Sequence, residues 1–166
     1  MAAHLILTKE IAYRKLQRMA YEIAEQNINE RKIILAGIKE NGTIIAKILI
    51  TYLEEIFKGE IALLEISIDK KNPKTVSLSS EMNYDNEIII ITDDVSNSGK
   101  TLLYAIKPFL DFYPKKIQTL VLVERSYKEF PVSPDYVGMS VSTALTEKII
   151  VETSNNEIEG AELTTL

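Results

Sequence analysis

Asp93 and Asp94 follow the apolar run Ile88-Ile89-Ile90-Ile91-Thr92 and lead into Val95-Ser96-Asn97-Ser98-Gly99-Lys100-Thr101. A buried strand thus delivers two carboxylates, then small polar residues with one glycine, then the start of a helix. Unpaired N–H groups at such a turn suit a phosphate, and small side chains let it approach the main chain. Ser98, Lys100 and Thr101 add hydroxyl and cationic donors. Two carboxylates beside a phosphate repel it unless they bind sugar hydroxyls or a divalent cation. The combination therefore points to a sugar phosphate. Taken alone, the Asp-Asp pair has a plainer reading as a polar turn that caps a helix. Gly99-Lys100-Thr101 also resembles the end of a nucleotide-triphosphatase loop, but that motif needs glycine at position 94, where this chain has Asp94.

Other chemistry is scarce. The chain has no cysteine, which excludes disulfides, cysteine-ligated metals and thiol nucleophiles. The one histidine, His4, lies near the amino terminus and reads as a surface residue. Net charge is −5, so no global positive field draws nucleic acid. This argues against RNA as a partner while leaving a local basic patch open. No apolar run reaches the ~18 residues of a membrane span, and the start lacks a leader pattern, so no membrane association and a cytoplasmic location are expected.

The elements that must position the acidic pair are legible as periodicity. Ile11, Ala12, Leu16, Met19, Ala20 and Ile23 recur at helical spacing within residues 8–27, with Thr8 as N-cap. Residues 33–38 form an unbroken apolar run that suits a strand buried on both faces. A second helix follows from Asn41, then strands at 60–68, 87–92 and 117–123, with a helix from Ser98 to Asp111 that ends or kinks around Pro108. Residues 69–86 read as the longest loop. Short strands are expected at 136–140 and 148–151. Residues 1–152 read as one domain and 153–166 as a polar, acidic tail with little structure. Strands alternating with helices predict an α/β fold, a doubly wound, mostly parallel sheet. Ligands of such sheets bind beyond the carboxyl ends of the strands, next to Lys39–Gly42, Asp69–Asn72 and Asp93–Thr101.

The Asp93–Thr101 string resembles the phosphoribosyl pyrophosphate motif of type I phosphoribosyltransferases. Within that family the chain looks like the bacterial pyrimidine operon attenuators that double as uracil phosphoribosyltransferases. Ala36-Gly37-Ile38-Lys39-Glu40-Asn41-Gly42 is similar to the family's pyrophosphate loop, and Val121 to Gly138 to its base-binding region. The likeness covers roughly residues 8–151. It implies the type I fold with a small base-binding hood, and transfer of the phosphoribosyl group of phosphoribosyl pyrophosphate to a nucleobase, most simply uracil, giving a nucleoside monophosphate. On this resemblance Asp93 and Asp94 are the catalytic pair and hold the ribose hydroxyls directly or around magnesium (Mg2+). Val95, Ser96, Asn97, Ser98, Gly99, Lys100 and Thr101 cradle the 5-phosphate. Lys39, Glu40 and Asn41 face pyrophosphate, with Lys70 and Lys71 in a loop that closes over the site, while Arg125, Tyr136 and Val137 meet the base. A homodimer is expected. Asn41 stands where relatives usually carry arginine, preceded by Glu40, so slow turnover is expected. The alternative is a weakly active or non-catalytic nucleotide-binding regulator. A phosphoacceptor receiver domain fits less well, because it would carry its acidic pair after the first strand.

Overall fold

The computed structural model describes residues 3–165. In chain order the elements are β1 (His4–Thr8), α1 (Lys9–Gln26), β2 (Lys32–Ile38), α2 (Asn41–Ile56), β3 (Glu60–Ile68), β4 (Val76–Leu78), β5 (Ile88–Ser96), α3 (Lys100–Ile106), a 3-10 turn (Lys107–Asp111), β6 (Lys116–Arg125), β7 (Tyr136–Val141), β8 (Glu147–Ser154) and β9 (Glu157–Thr165). The main sheet has the order β4-β3-β2-β5-β6-β7 and is parallel except for the antiparallel edge strand β4. A second sheet, β1-β9-β8, is antiparallel.

The apolar runs sit in the middle of the main sheet because each strand there feeds two cores. Ile33 and Leu35 of β2, with Ile88 and Ile90 of β5, face the layer of α1 and α2. Ile34, Ala36, Ile89 and Ile91 face the opposite layer, with Leu102 and Ala105 of α3. A strand with both faces covered loses the polar alternation of a one-sided sheet. On α1, Ala12, Leu16, Met19, Ala20 and Ile23 form the buried stripe, and Thr8 Oγ1 accepts the Ile11 N–H at 3.3 Å as the N-cap.

From β2 the chain builds outward to β3, and from β5 it builds the other way to β6 and β7. The order reverses between β2 and β5, the place where open α/β sheets leave a crevice. Gly42, in the first turn of α2, closes that seam. Its carbonyl accepts the Thr92 hydroxyl at 2.8 Å, and a Cβ on Gly42 would lie 2.3 Å from the Thr92 oxygen. Gly42→Ala is therefore expected to cost about 1–3 kcal/mol or more by forcing α2 off β5. Urea unfolding checks this, and an unchanged midpoint would contradict the packing described.

The structure departs from the sequence reading in three places. Residues 153–166 are not a tail with little structure: Glu157–Thr165 is β9, the central strand of the small sheet, with Ile158 and Ala161 buried. The hairpin from β8 turns on Asn155-Asn156, both at positive φ, the geometry of a two-residue turn. β1, unread in the sequence, is the strand that β9 pairs with on its other side. The 69–86 segment holds β4 and the buried Tyr84, whose ring packs edge-on against Phe109 at 5.2 Å. The break expected at Pro108 falls where α3 gives way to the 3-10 turn.

Candidate active site

β5 runs longer than its apolar residues and carries both carboxylates on its final turns of pleat. Asp93 is buried, and its Oδ1 accepts the Asp94 N–H at 2.9 Å. Asp94 is partly exposed, and its Oδ1 accepts the Val95 N–H at 2.8 Å. Two groups from outside β5 meet the pair. Lys70 Nζ lies 3.2 Å from Asp93 Oδ1, 3.3 Å from Asp93 Oδ2 and 3.9 Å from Asp94 Oδ1. Asn41 Nδ2 donates to Asp94 Oδ2 at 2.8 Å, and its Oδ1 accepts the Thr153 hydroxyl at 3.2 Å, tying the start of α2 to β8. Burial, reinforced by the charge of Asp94, pushes the Asp93 carboxyl well above the usual range, with Lys70 opposing. Burial lowers the Lys70 pKa, but the two carboxylates more than offset this, so it ends above its ordinary value.

The loop after the pair turns at Gly99, whose φ is 85°, a left-handed conformation that glycine adopts freely. Ser98 pins the turn: its carbonyl accepts the N–H groups of Glu129 and Phe130, each at 3.0 Å, from the β6–β7 connection. The Ser96 hydroxyl is buried without a hydrogen-bond partner among the described residues. The same turn borders a cleft of about 270 Å³ lined by Asp94, the whole of Val95–Thr101, Asn41, Lys70 and the β8 residues Ile149, Ile150 and Val151.

The structure brings Asp94, Val95, Ser96, Asn97, Ser98, Gly99, Lys100, Thr101, Asn41 and Lys70 into one cleft, with Asp93 directly beneath. Lys39 and Glu40 line a neighbouring cleft that shares Asn41 and also contains Lys47. Lys39 Nζ is 3.3 Å from Glu65 Oε2, and the Lys39–Glu40 peptide is cis. Lys71 is exposed, and its N–H donates to Asp69 Oδ1 at 2.9 Å.

The residues expected to meet the base are not in the cleft. Tyr136 opens β7, pairs with Leu120 and is 1% exposed. Its hydroxyl lies 2.9 Å from Gln26 Oε1 and 2.8 Å from Gln118 Oε1, and burial first, then the Asp135 and Glu22 charges, push its pKa up to about 12. It is a core residue at the amino-terminal end of the strands, where ligands of such sheets do not sit. Val137 packs against the core, and its carbonyl accepts from Arg18 at 3.0 Å. Arg125 donates to the Ala144 carbonyl at 2.6 Å and so braces the β7–β8 connection. The apolar wall comes instead from Ile149, Ile150 and Val151. The run Lys148–Val151 reads as a strand in the sequence, but only the pairing of β8 with β9 shows where its side chains point.

An acidic pair at a strand end, a glycine turn and a switch-point crevice thus meet at one place in the fold. Residues 4–157 match the phosphoribosyl transferase domain family, and the chain belongs to it. It is 30% identical over 161 residues to the bifunctional protein PyrR of Haemophilus ducreyi, covering 91% of this chain and 90% of that one. It is 36% identical over 145 residues to the PyrR of Streptococcus pneumoniae, covering 84% and 83%. Among solved structures, the hypoxanthine phosphoribosyltransferase of Trypanosoma cruzi superposes with a TM-score of 0.80 at 16% identity, covering 98% of this chain and 96% of that one. A hypoxanthine-guanine phosphoribosyltransferase of Bacillus anthracis gives 0.76 at 17% identity, covering 98% of both. At those identities the likeness shows the fold. No helix among the described residues is long and apolar enough to cross a membrane.

The donor set fits magnesium. Asp93 and Asp94 offer hard carboxylate oxygens, and a cationic group, the Lys70 ammonium, already stands on them. No cluster of three or more metal-ligating side chains occurs among the described residues. An ion here would complete its shell with water and substrate oxygens, as magnesium does.

Proposed function

We propose that the protein transfers the phosphoribosyl group of phosphoribosyl pyrophosphate to a pyrimidine base, uracil by preference, and releases pyrophosphate. The observation that carries this reading is the opening of Asp94 and the Val95–Thr101 turn into one cleft, with Asp93 directly beneath. The turn, with its small side chains and the left-handed Gly99, cradles the 5-phosphate. Asp93 and Asp94 hold the ribose hydroxyls and thereby fix C1. The bond from C1 to the pyrophosphate oxygen breaks as a ring nitrogen of the base bonds to C1 and gives up its proton. Positive charge develops on the ribose in between, close to the carboxylates. Magnesium, when bound, would neutralise charge on the departing pyrophosphate. Lys39, Glu40, Asn41, Lys70 and Lys71 form the pyrophosphate side. The β8 segment Ile149–Val151 borders the cleft on the base side and keeps water from the activated sugar. The pyrimidine assignment rests on the sequence likeness to the operon attenuators.

A second reading, a nucleotide-binding regulator with slow turnover, draws on Lys70, which offsets the charge of the acidic pair, and on Asn41, which hydrogen-bonds Asp94 from within the chain. A product assay with phosphoribosyl pyrophosphate, magnesium and a panel of bases separates the two. Nucleoside monophosphate formed from uracil supports transfer, whereas tight monophosphate binding without product supports the regulator.

A further inference from the structure

The Lys70 contact is a feature of this chain that the transfer reaction does not call for. Asp93 is buried, and Asp94 beside it adds a second negative charge in the same cleft. Two carboxylates so close in one cleft repel each other and favour a cation beside them. Lys70 supplies it from the irregular segment between β3 and β4, reaching both oxygens of Asp93 and lying 3.9 Å from Asp94. Its side chain is still 46% exposed, so it can withdraw into water without unfolding anything. A divalent ion coordinated to the same oxygens competes with the ammonium for them, because the two cations repel at that distance.

We infer that Lys70 is the built-in counter-ion of the Asp93–Asp94 pair, standing in the place of the divalent cation until the sugar phosphate arrives, so that metal and sugar phosphate bind together. The nature of the ligand rests on the phosphoribosyl reading; the Lys70 contact does not. When ribose hydroxyls and phosphate enter, they bring extra oxygen ligands for the metal, and the balance tips from ammonium to divalent ion. Lys70 is then released with its charge on the pyrophosphate side of the cleft. Lys70 is thus a positioning residue that makes metal binding conditional.

The test is Mn2+ binding, followed by electron paramagnetic resonance, to the wild type, Lys70→Met and Lys70→Arg, each with and without ribose 5-phosphate. In the wild type, Mn2+ alone should bind weakly and ribose 5-phosphate should tighten it by about tenfold or more. Lys70→Met keeps the stem and loses the charge, so Mn2+ alone should bind about tenfold tighter and the gain from ribose 5-phosphate should shrink. Lys70→Arg should behave as the wild type. Equal Mn2+ affinity in the wild type and a folded Lys70→Met variant would overturn the inference. So would a gain that survives in Lys70→Met/Asp94→Asn, since the ion would then sit elsewhere. Calorimetry of ribose 5-phosphate without metal probes the phosphate turn by itself. A wild type that fails to bind it even when saturating Mn2+ is added removes the phosphoribosyl reading and leaves the comparison of Mn2+ alone on wild type and Lys70→Met standing.

Discussion

Changing Asp93 and Asp94 together to asparagine is expected to cut kcat/KM by about a hundredfold to a thousandfold, the cost of removing preorganised charge from a transition state. The same change should make the ligand-free protein more stable at neutral pH. Asp93 titrates above its ordinary value in the fold, because burial and then Asp94 penalise its charged form. In the unfolded chain an aspartate loses its proton near pH ~4. Below that pH both states are protonated and Asp93 imposes no penalty. As pH rises toward the folded value, the unfolded chain binds fewer protons than the folded one, so stability falls. Asparagine escapes this loss. The melting temperature of Asp93→Asn should match the wild type at acid pH and exceed it progressively toward neutrality. A gain of ~2–4 °C corresponds to about 1 kcal/mol in a chain of this size. A variant that melts lower than the wild type at every pH would assign the pair a structural role.

Gly99→Val should weaken ribose 5-phosphate binding by about tenfold or more while leaving the fold intact. A non-glycine residue at the left-handed φ of Gly99 costs ~1–2 kcal/mol. A Cβ there would also lie 3.2 Å from the Phe130 carbonyl oxygen and 3.3 Å from that of Val132. The turn relieves both by moving, and it is the turn proposed to meet the phosphate. Gly99→Asn should lose less, since asparagine tolerates that conformation. Calorimetry of the three proteins is the measurement, and equal affinities would place the phosphate elsewhere.

The site was legible where chemistry and burial coincide on one short segment. Ile88–Ile91 announces a strand buried on both faces, and the residues after it can only be at its carboxyl end, so Asp93 to Thr101 could be placed without a structure. Tyr136 shows the limit. An aromatic residue after Ser133-Pro134-Asp135 looks like part of a binding loop, yet it starts a parallel strand and points into the core. Local sequence does not say at which end of a sheet a residue lies; the pairing of β7 with β6 does. The small sheet was hidden for another reason. β9 offers few apolar residues, since one of its faces is wet, and the Asn155-Asn156 turn was the remaining signal. Asn41 is a third case. Its substitution pattern reads as lost charge toward pyrophosphate, whereas its amide joins Asp94 to Thr153, a bridge between residues far apart in the chain.

The pairing of β1 with β9 sets His4 opposite Leu163. One wall of the cleft is therefore sewn from the two ends of the described chain, while the acidic pair and the phosphate turn lie in its middle. Closing so large a loop is slow compared with making local helices and neighbouring strands. As the chain leaves the ribosome, the phosphate turn can form against β6 before the strand that steadies Ile149–Val151 exists. That side of the cleft is in this sense a late addition: a chain stopped short of β9 still holds Asp93 and Asp94 at the end of β5 but lacks the brace of β8 beside them.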